Sequence, residues 1–175
     1  GGPHAVVLLD AFNGGPDVSN WVTAGNAMNT LAGSGISVAA PAGGAWSMYT
    51  NWEQDGSKQW ETFLADELRT YLAATQGLAP GGHGIVGAAQ GGTGALTMAT
   101  FHPDRYRFAG SLSGGQRNRV QLAKTLEHAV VEVLAVDEGR DQRAQGERTA
   151  AGHTLSGGDD PAFQPGEAFP FAALH

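Results

Sequence analysis

The sequence predicts a three-layer α/β fold, a parallel sheet with helices on both faces. Three observations carry that expectation. Short apolar runs recur at residues 4–10, 36–41, 84–86 and 108–112, each bounded by turn-forming residues. Segments with helical periodicity separate them, and strands alternating with helices are the signature of a parallel sheet. Glycine, at 27 of 175 residues, has no fixed period. That distribution fits many tight strand–helix junctions better than a low-complexity tract.

Residues 4–10 are apolar almost throughout and end on an acid, as expected of a strand buried on both faces. A Gly/Asn/Pro turn follows at 13–16. Ser19 is placed to cap a helix running to about Leu31, with Trp21, Ala24, Ala27, Met28 and Leu31 on one face. Residues 33–35 stop it, and 36–41 read as a second strand ending at its proline. Residues 42–56 form a loop rich in Gly, Trp, Tyr and Asn. Ser57 then opens the clearest helix, because Trp60, Phe63, Leu64, Leu68, Tyr71 and Leu72 share one helical face. Pro80 breaks the chain before the third strand. A small-residue helix over 92–101 follows it, and Pro103 and Asp104 turn the chain into the fourth strand.

After Gly114 the character changes: all four tryptophans and all three tyrosines precede it. Residues 116–128 read as a polar helix and 130–137 as a fifth strand. The composition of 140–175 is that of a flexible tail, the apolar run 169–174 excepted. The expected organisation is one domain over 1–139 and a tail over 140–175.

Seventeen acids against ten bases give a formal charge of −7, which argues against nucleic acid as a partner. No run approaches the roughly 18 apolar residues of a membrane span, and no signal peptide is legible. The opening Gly1-Gly2-Pro3 reads as the start of an already trimmed segment. Cysteine is absent, and the six histidines include no i, i+4 pair, so neither metal nor cofactor is expected.

The most informative motif is Gly87-Ala88-Ala89-Gln90-Gly91. An apolar strand leads in and a small-residue helix leads out, the context in which G-x-S-x-G presents a nucleophilic serine. Here the central residue is Ala89, whose methyl group neither attacks nor titrates. Read from the residues alone, a degenerate hydrolase elbow and a plain packing turn both stay open.

Several motifs together resemble the antigen 85 mycolyltransferases, secreted mycobacterial proteins of the α/β-hydrolase fold. They are Leu8-Leu9-Asp10 with Trp21, Pro41-Ala42-Gly43-Gly44, Tyr49-Thr50-Asn51-Trp52, Trp60-Glu61-Thr62-Phe63-Leu64, the elbow, and His102-Pro103 with Ala109-Gly110-Ser111-Leu112-Ser113-Gly114. The resemblance is collinear over residues 1–114 and is strongest to a non-catalytic branch of that family. It implies an α/β-hydrolase-type sheet, truncated here and ending in an atypical segment. It also implies a secreted or cell-envelope protein that binds fibronectin or another extracellular host protein, and small sugars. Ala89 stands at the nucleophile position. Gln90 and Phe12 correspond to the two backbone donors of an oxyanion hole. Asp10 matches an acid near the sugar site, and Asn13 replaces an arginine there. A strand-end capping role for Asp10 stays open beside that one. Trp52, with Trp46, Tyr49 and Trp60, is either packing or a platform for pyranose rings.

Three rival readings accompany this one. Residues 112–126 resemble the signature segment of ABC-type ATPases, but no phosphate-binding GxxxxGK[ST] loop exists and the only lysines are Lys58 and Lys124. A hybrid or frame-shifted product would explain that match. Residues 133–141 with Gly152-His153 resemble the triad acid and histidine loops of hydrolases, which makes Asp141 and His153 candidate acid and base. The last rival is an active acyltransferase or esterase with an unrecognised nucleophile. Ser111 and Ser113 lack the leading glycine that such a residue needs.

Overall fold

A computed structural model of the chain describes residues 2–112 and 171–174. Its elements in chain order are β1 (Ala5–Leu9), α1 (Asn20–Thr23), α2 (Ala27–Thr30), β2 (Ser37–Ala39), α3 (Trp60–Thr62), a π-helical turn (Phe63–Glu67), α4 (Leu68–Gln76), β3 (His83–Ala88), α5 (Gln90–Phe101), β4 (Tyr106–Leu112) and β5 (Phe171–Leu174). The strands form one sheet in the order β2-β1-β3-β4-β5, and every pairing is parallel.

Successive strand residues point to opposite faces, so a run that is apolar at every position feeds two cores. Val6, Leu8, Val86, Phe108 and Leu112 face Trp21, Ala27 and Leu31 of the α1–α2 segment. Val7, Leu9, Ile85 and Ala109 face Leu64, Leu68 and Leu72 together with Ala95, Met98 and Ala99 of α5. The predicted three-layer α/β architecture is therefore present.

Two predicted helices differ from expectation. The helix expected from Ser19 to Leu31 is two short ones, interrupted where Asn26 takes a left-handed φ of 50°. Its N-cap is as read, with the Ser19 hydroxyl accepting from the Trp21 N–H at 3.2 Å. Ala24 and Met28, assigned to the buried face, lie exposed because the break resets the helical phase. The second helix starts at Trp60, not Ser57, which instead donates from N–H and hydroxyl to the Asp55 carboxylate.

The π-helical turn then adds a residue to the helical repeat, and Tyr71 rotates out to 60% exposure. The cause is tertiary. The Tyr106 hydroxyl donates to the Leu64 carbonyl at 2.7 Å. Arg69 Nε at 2.8 Å and Arg105 Nε at 3.1 Å both donate to the Ala65 carbonyl. These donors compensate the carbonyls displaced from the ordinary helical ladder.

The apolar run at 169–174, the exception in the expected tail, contributes β5, whose Phe171 pairs with Ala109 and Leu174 with Leu112. The helix expected at 116–128, the strand at 130–137, the domain boundary at 139 and the candidates Asp141 and His153 lie outside the described residues. No described helix is long and apolar enough to cross a membrane. Nor does any group of three or more His, Asp or Glu among the described residues have the spacing to hold a metal ion.

Candidate functional site

The chain reverses sharply between β3 and α5, and Ala89 is the pivot, with φ 52° and ψ −116°. An L-residue rarely adopts such a conformation, which costs about 1–3 kcal/mol. Close packing enforces it. A Cβ on Gly87 would run into the backbone of Gly91, and one on Gly91 would sit 2.5 Å from the carbonyl oxygens of Leu9 and Asp10. Helix α5 therefore lies directly on β1 and β3, and the bend between has a single solution. The Ala89 N–H donates to the Leu112 carbonyl at 3.0 Å, tying the pivot to the end of β4. Substituting Ala89→Gly should relieve the strained φ and raise stability by about 1 kcal/mol. A urea titration reads this directly, and an unchanged or lower midpoint would contradict it.

Gln90 organises the ground around the pivot. Its side chain is 1% exposed; Oε1 accepts from the Met48 N–H at 3.3 Å and Nε2 donates to the Ala11 carbonyl at 3.0 Å. One side chain thus joins the β1–α1 loop, the aromatic loop and the α5 N-terminus. Phe12 and Gln90, the residues whose N–H groups the family resemblance pairs as an oxyanion hole, belong to segments linked in this way. The Phe12 ring packs on Trp46 with centroids 5.1 Å apart and planes tilted by 41°. Trp46 is 66% exposed, and Trp46, Met48 and Tyr49 all have positive φ. An apolar rim of Phe12, Trp46 and Met48 results. Sequence reasoning missed both the Gln90 clamp and the prominence of Trp46, since neither residue carries a pattern of its own.

Asp10 is fully buried. Its Oδ1 accepts from the Ser19 hydroxyl at 2.7 Å and the Asn20 N–H at 2.9 Å, and its Oδ2 accepts from the Gly43 N–H at 3.2 Å. The carboxylate is thus committed to holding α1 and the 41–44 loop against the end of β1, as in the strand-end capping reading. Its main-chain carbonyl accepts from the Tyr49 hydroxyl at 3.1 Å. Burial, reinforced by the Asp10 charge, raises the Tyr49 pKa well above the usual phenol range, although the hydrogen bond to the Asp10 carbonyl opposes this. Asn13 is exposed; it bridges Ala45 in antiparallel fashion and accepts from Asn20 Nδ2 at 2.8 Å. Trp52 is half-buried, its indole N–H donating to the Ser47 carbonyl at 3.0 Å, so it braces the aromatic loop from within. The structure thus gathers Phe12, Asn13, Ala89 and Gln90 at the end of the sheet where β1 and β3 finish, with Asp10 buried just past β1 and Trp52 held within the aromatic loop.

Comparison with known proteins places this geometry. The Esterase family model matches residues 1–126. The chain belongs to the Esterase family. That match also spans residues 112–126, and the comparisons support the antigen 85 resemblance but not the ATPase one. The MPT51/MPB51 antigen of Mycobacterium tuberculosis is 80% identical over 114 residues, covering 65% of this chain and 38% of that protein. The diacylglycerol acyltransferase/mycolyltransferase Ag85B of Mycolicibacterium smegmatis is 41% identical over 123 residues, again covering 65% and 38%. The chain therefore spans well under half the length of these relatives. Among solved structures, the crystal structure of Mycobacterium tuberculosis MPT51 aligns with a TM-score of 0.61 over 63% of this chain and 42% of that one, at 80% identity. An S-formylglutathione hydrolase from Agrobacterium tumefaciens aligns at TM-score 0.52 and 20% identity, covering 62% and 46%, which shows the shared fold alone. The fold of this Esterase-family chain is accordingly of the α/β-hydrolase type.

Proposed function

We propose that this Esterase-family chain is catalytically silent and works as a secreted or cell-envelope binding protein, engaging an extracellular host protein such as fibronectin, and small sugars, at the elbow face. The observation that carries the reading is Ala89 at the pivot of an otherwise intact elbow, φ 52° included. A methyl group supplies neither an attacking oxygen nor a proton. The exposed Phe12–Trp46 pair supports a binding role, because aromatic faces suit both protein contacts and pyranose rings. The antigen names of the relatives at 80% identity support an outward-facing role.

The chain should show no turnover of a short acyl ester above buffer and no covalent labelling by a fluorophosphonate. It should bind immobilised fibronectin, and Trp46→Ala should weaken that binding without shifting the thermal midpoint. Labelling or robust turnover would favour the rival reading of an active acyltransferase or esterase; the relative at 41% identity is a named acyltransferase.

A further inference from the structure

At the opposite end of the sheet from the elbow, two histidines pack edge to face where β1 and β3 begin, with ring centroids 5.8 Å apart. His83 is 1% exposed. Its Nδ1 accepts from the N–H of Ala5, the first residue of β1, at 3.0 Å. That bond assigns the ring proton to Nε2, which is buried and makes no hydrogen bond of ordinary geometry, the Ala79 carbonyl being its nearby acceptor. A second proton has only Nδ1 to occupy, where it would face the Ala5 N–H, donor against donor. His4 Nδ1 meanwhile donates to the Gly81 carbonyl at 2.9 Å.

We propose that His83 is an acid-sensitive latch: protonating its imidazole releases the start of β1 from β3 while the elbow end of the sheet stays closed. The groups around it favour release. His4 stands immediately before β1. The side chain of Arg69, on α4, reaches the same turn and donates to the Pro80 carbonyl at 3.1 Å. β4 contributes Tyr106, in register with His83 and kept neutral by burial, and Arg107, which lies with His4 around Gly82. The nearby acids Asp66 and Asp104 are engaged by Arg105, and Asp66 also by Arg69.

Burial, the charge of His4 and that of Arg69 all hold the His83 pKa below the ordinary value of about 6.5, against a lift from the Ala79 carbonyl. The sign follows: the opened state binds the proton more readily than the closed one. The latch is therefore fully closed above about pH 6.5 and loses strength as pH falls towards the depressed folded value. The β3–β4 register also shifts between His83 and Gly84, so this end of the ladder is already irregular.

Hydrogen exchange on the full chain, corrected for the intrinsic pH dependence of the chemistry, tests the latch. Protection of the amides of Ala5 and residues 82–84 should fall about tenfold between about pH 7.5 and about pH 5.5, while α5 amides keep theirs. His83→Gln retains an acceptor for Ala5 without a titrating group and should abolish the drop. Unchanged protection, or an equal loss across the sheet, would overturn the proposal. Should the glutamine variant not fold, imidazole ¹⁵N shifts of the unmutated chain decide. An Nε2–H ring that resists protonation at about pH 6.5 sustains the latch, and an Nδ1–H ring or ordinary titration ends it.

Discussion

Replacing Asp10 with alanine is expected to cost about 3–5 kcal/mol, enough to leave this chain largely unfolded at ambient temperature. The substitution removes a fully buried carboxylate and strands the Ser19 hydroxyl and the Asn20 and Gly43 N–H groups in a dry site. A stranded buried donor costs about 1–3 kcal/mol, and hydrogen bonds to a charged acceptor lie at the upper end of the usual range. Asp10→Asn should fall between, because its carbonyl oxygen still serves Ser19 and Asn20 while its NH₂ opposes the Gly43 N–H. Alanine at the exposed Asp17 is the control, with an expected change within about 0.5 kcal/mol. Urea midpoints measure all three. A loss below about 1 kcal/mol for Asp10→Ala would mean that solvent reaches the knot.

Introducing Ala89→Ser should leave ester hydrolysis at background, although it rebuilds the G-x-S-x-G pattern. Loss of a triad nucleophile costs on the order of 10⁶ in turnover, and restoring the hydroxyl recovers that only if a base stands beside it. Among the described residues, His4 and His83 lie at the starts of β1 and β3. His102 ends α5, where it meets Glu61 at 2.9 Å, roughly 18 Å from the pivot along the helix axis. Backbone N–H groups alone sustain at most about 10³–10⁴ over water. Steady-state hydrolysis of a chromogenic ester, with the unmutated chain in parallel, checks this. A clear gain over the unmutated chain would show that a base reaches the elbow.

Much of this fold was legible because the strands are buried on both faces. The runs behind β1, β3 and β4 are apolar enough to be read without periodicity, and the elbow announces itself through glycines where backbone meets backbone. What escaped was decided by contacts distant in sequence. Nothing local near Phe63 foretells a π-helical turn, since its carbonyls are captured by Tyr106 and Arg105, about 40 residues away. The break at Gly25 and Asn26 was written in the chain, but the periodicity of Trp21, Ala27 and Leu31 outweighed it. At the site, the position of Ala89 was readable and the knot at Asp10 only half so. The Gln90 clamp was invisible, because a lone glutamine has no signature until the loops it joins are known.

Architecture and chemistry are separable at the junction of β3 and α5. Gly87, Gly91 and Gly92 set how close the helix rides over the strands, and none of these approaches involves the side chain at the apex. The apex works as an interchangeable socket: a hydroxyl or a methyl can be fitted without re-forming the turn that displays it. A lineage built on this junction can therefore lose its reactive atom in one step and keep the shaped surface around it for another use.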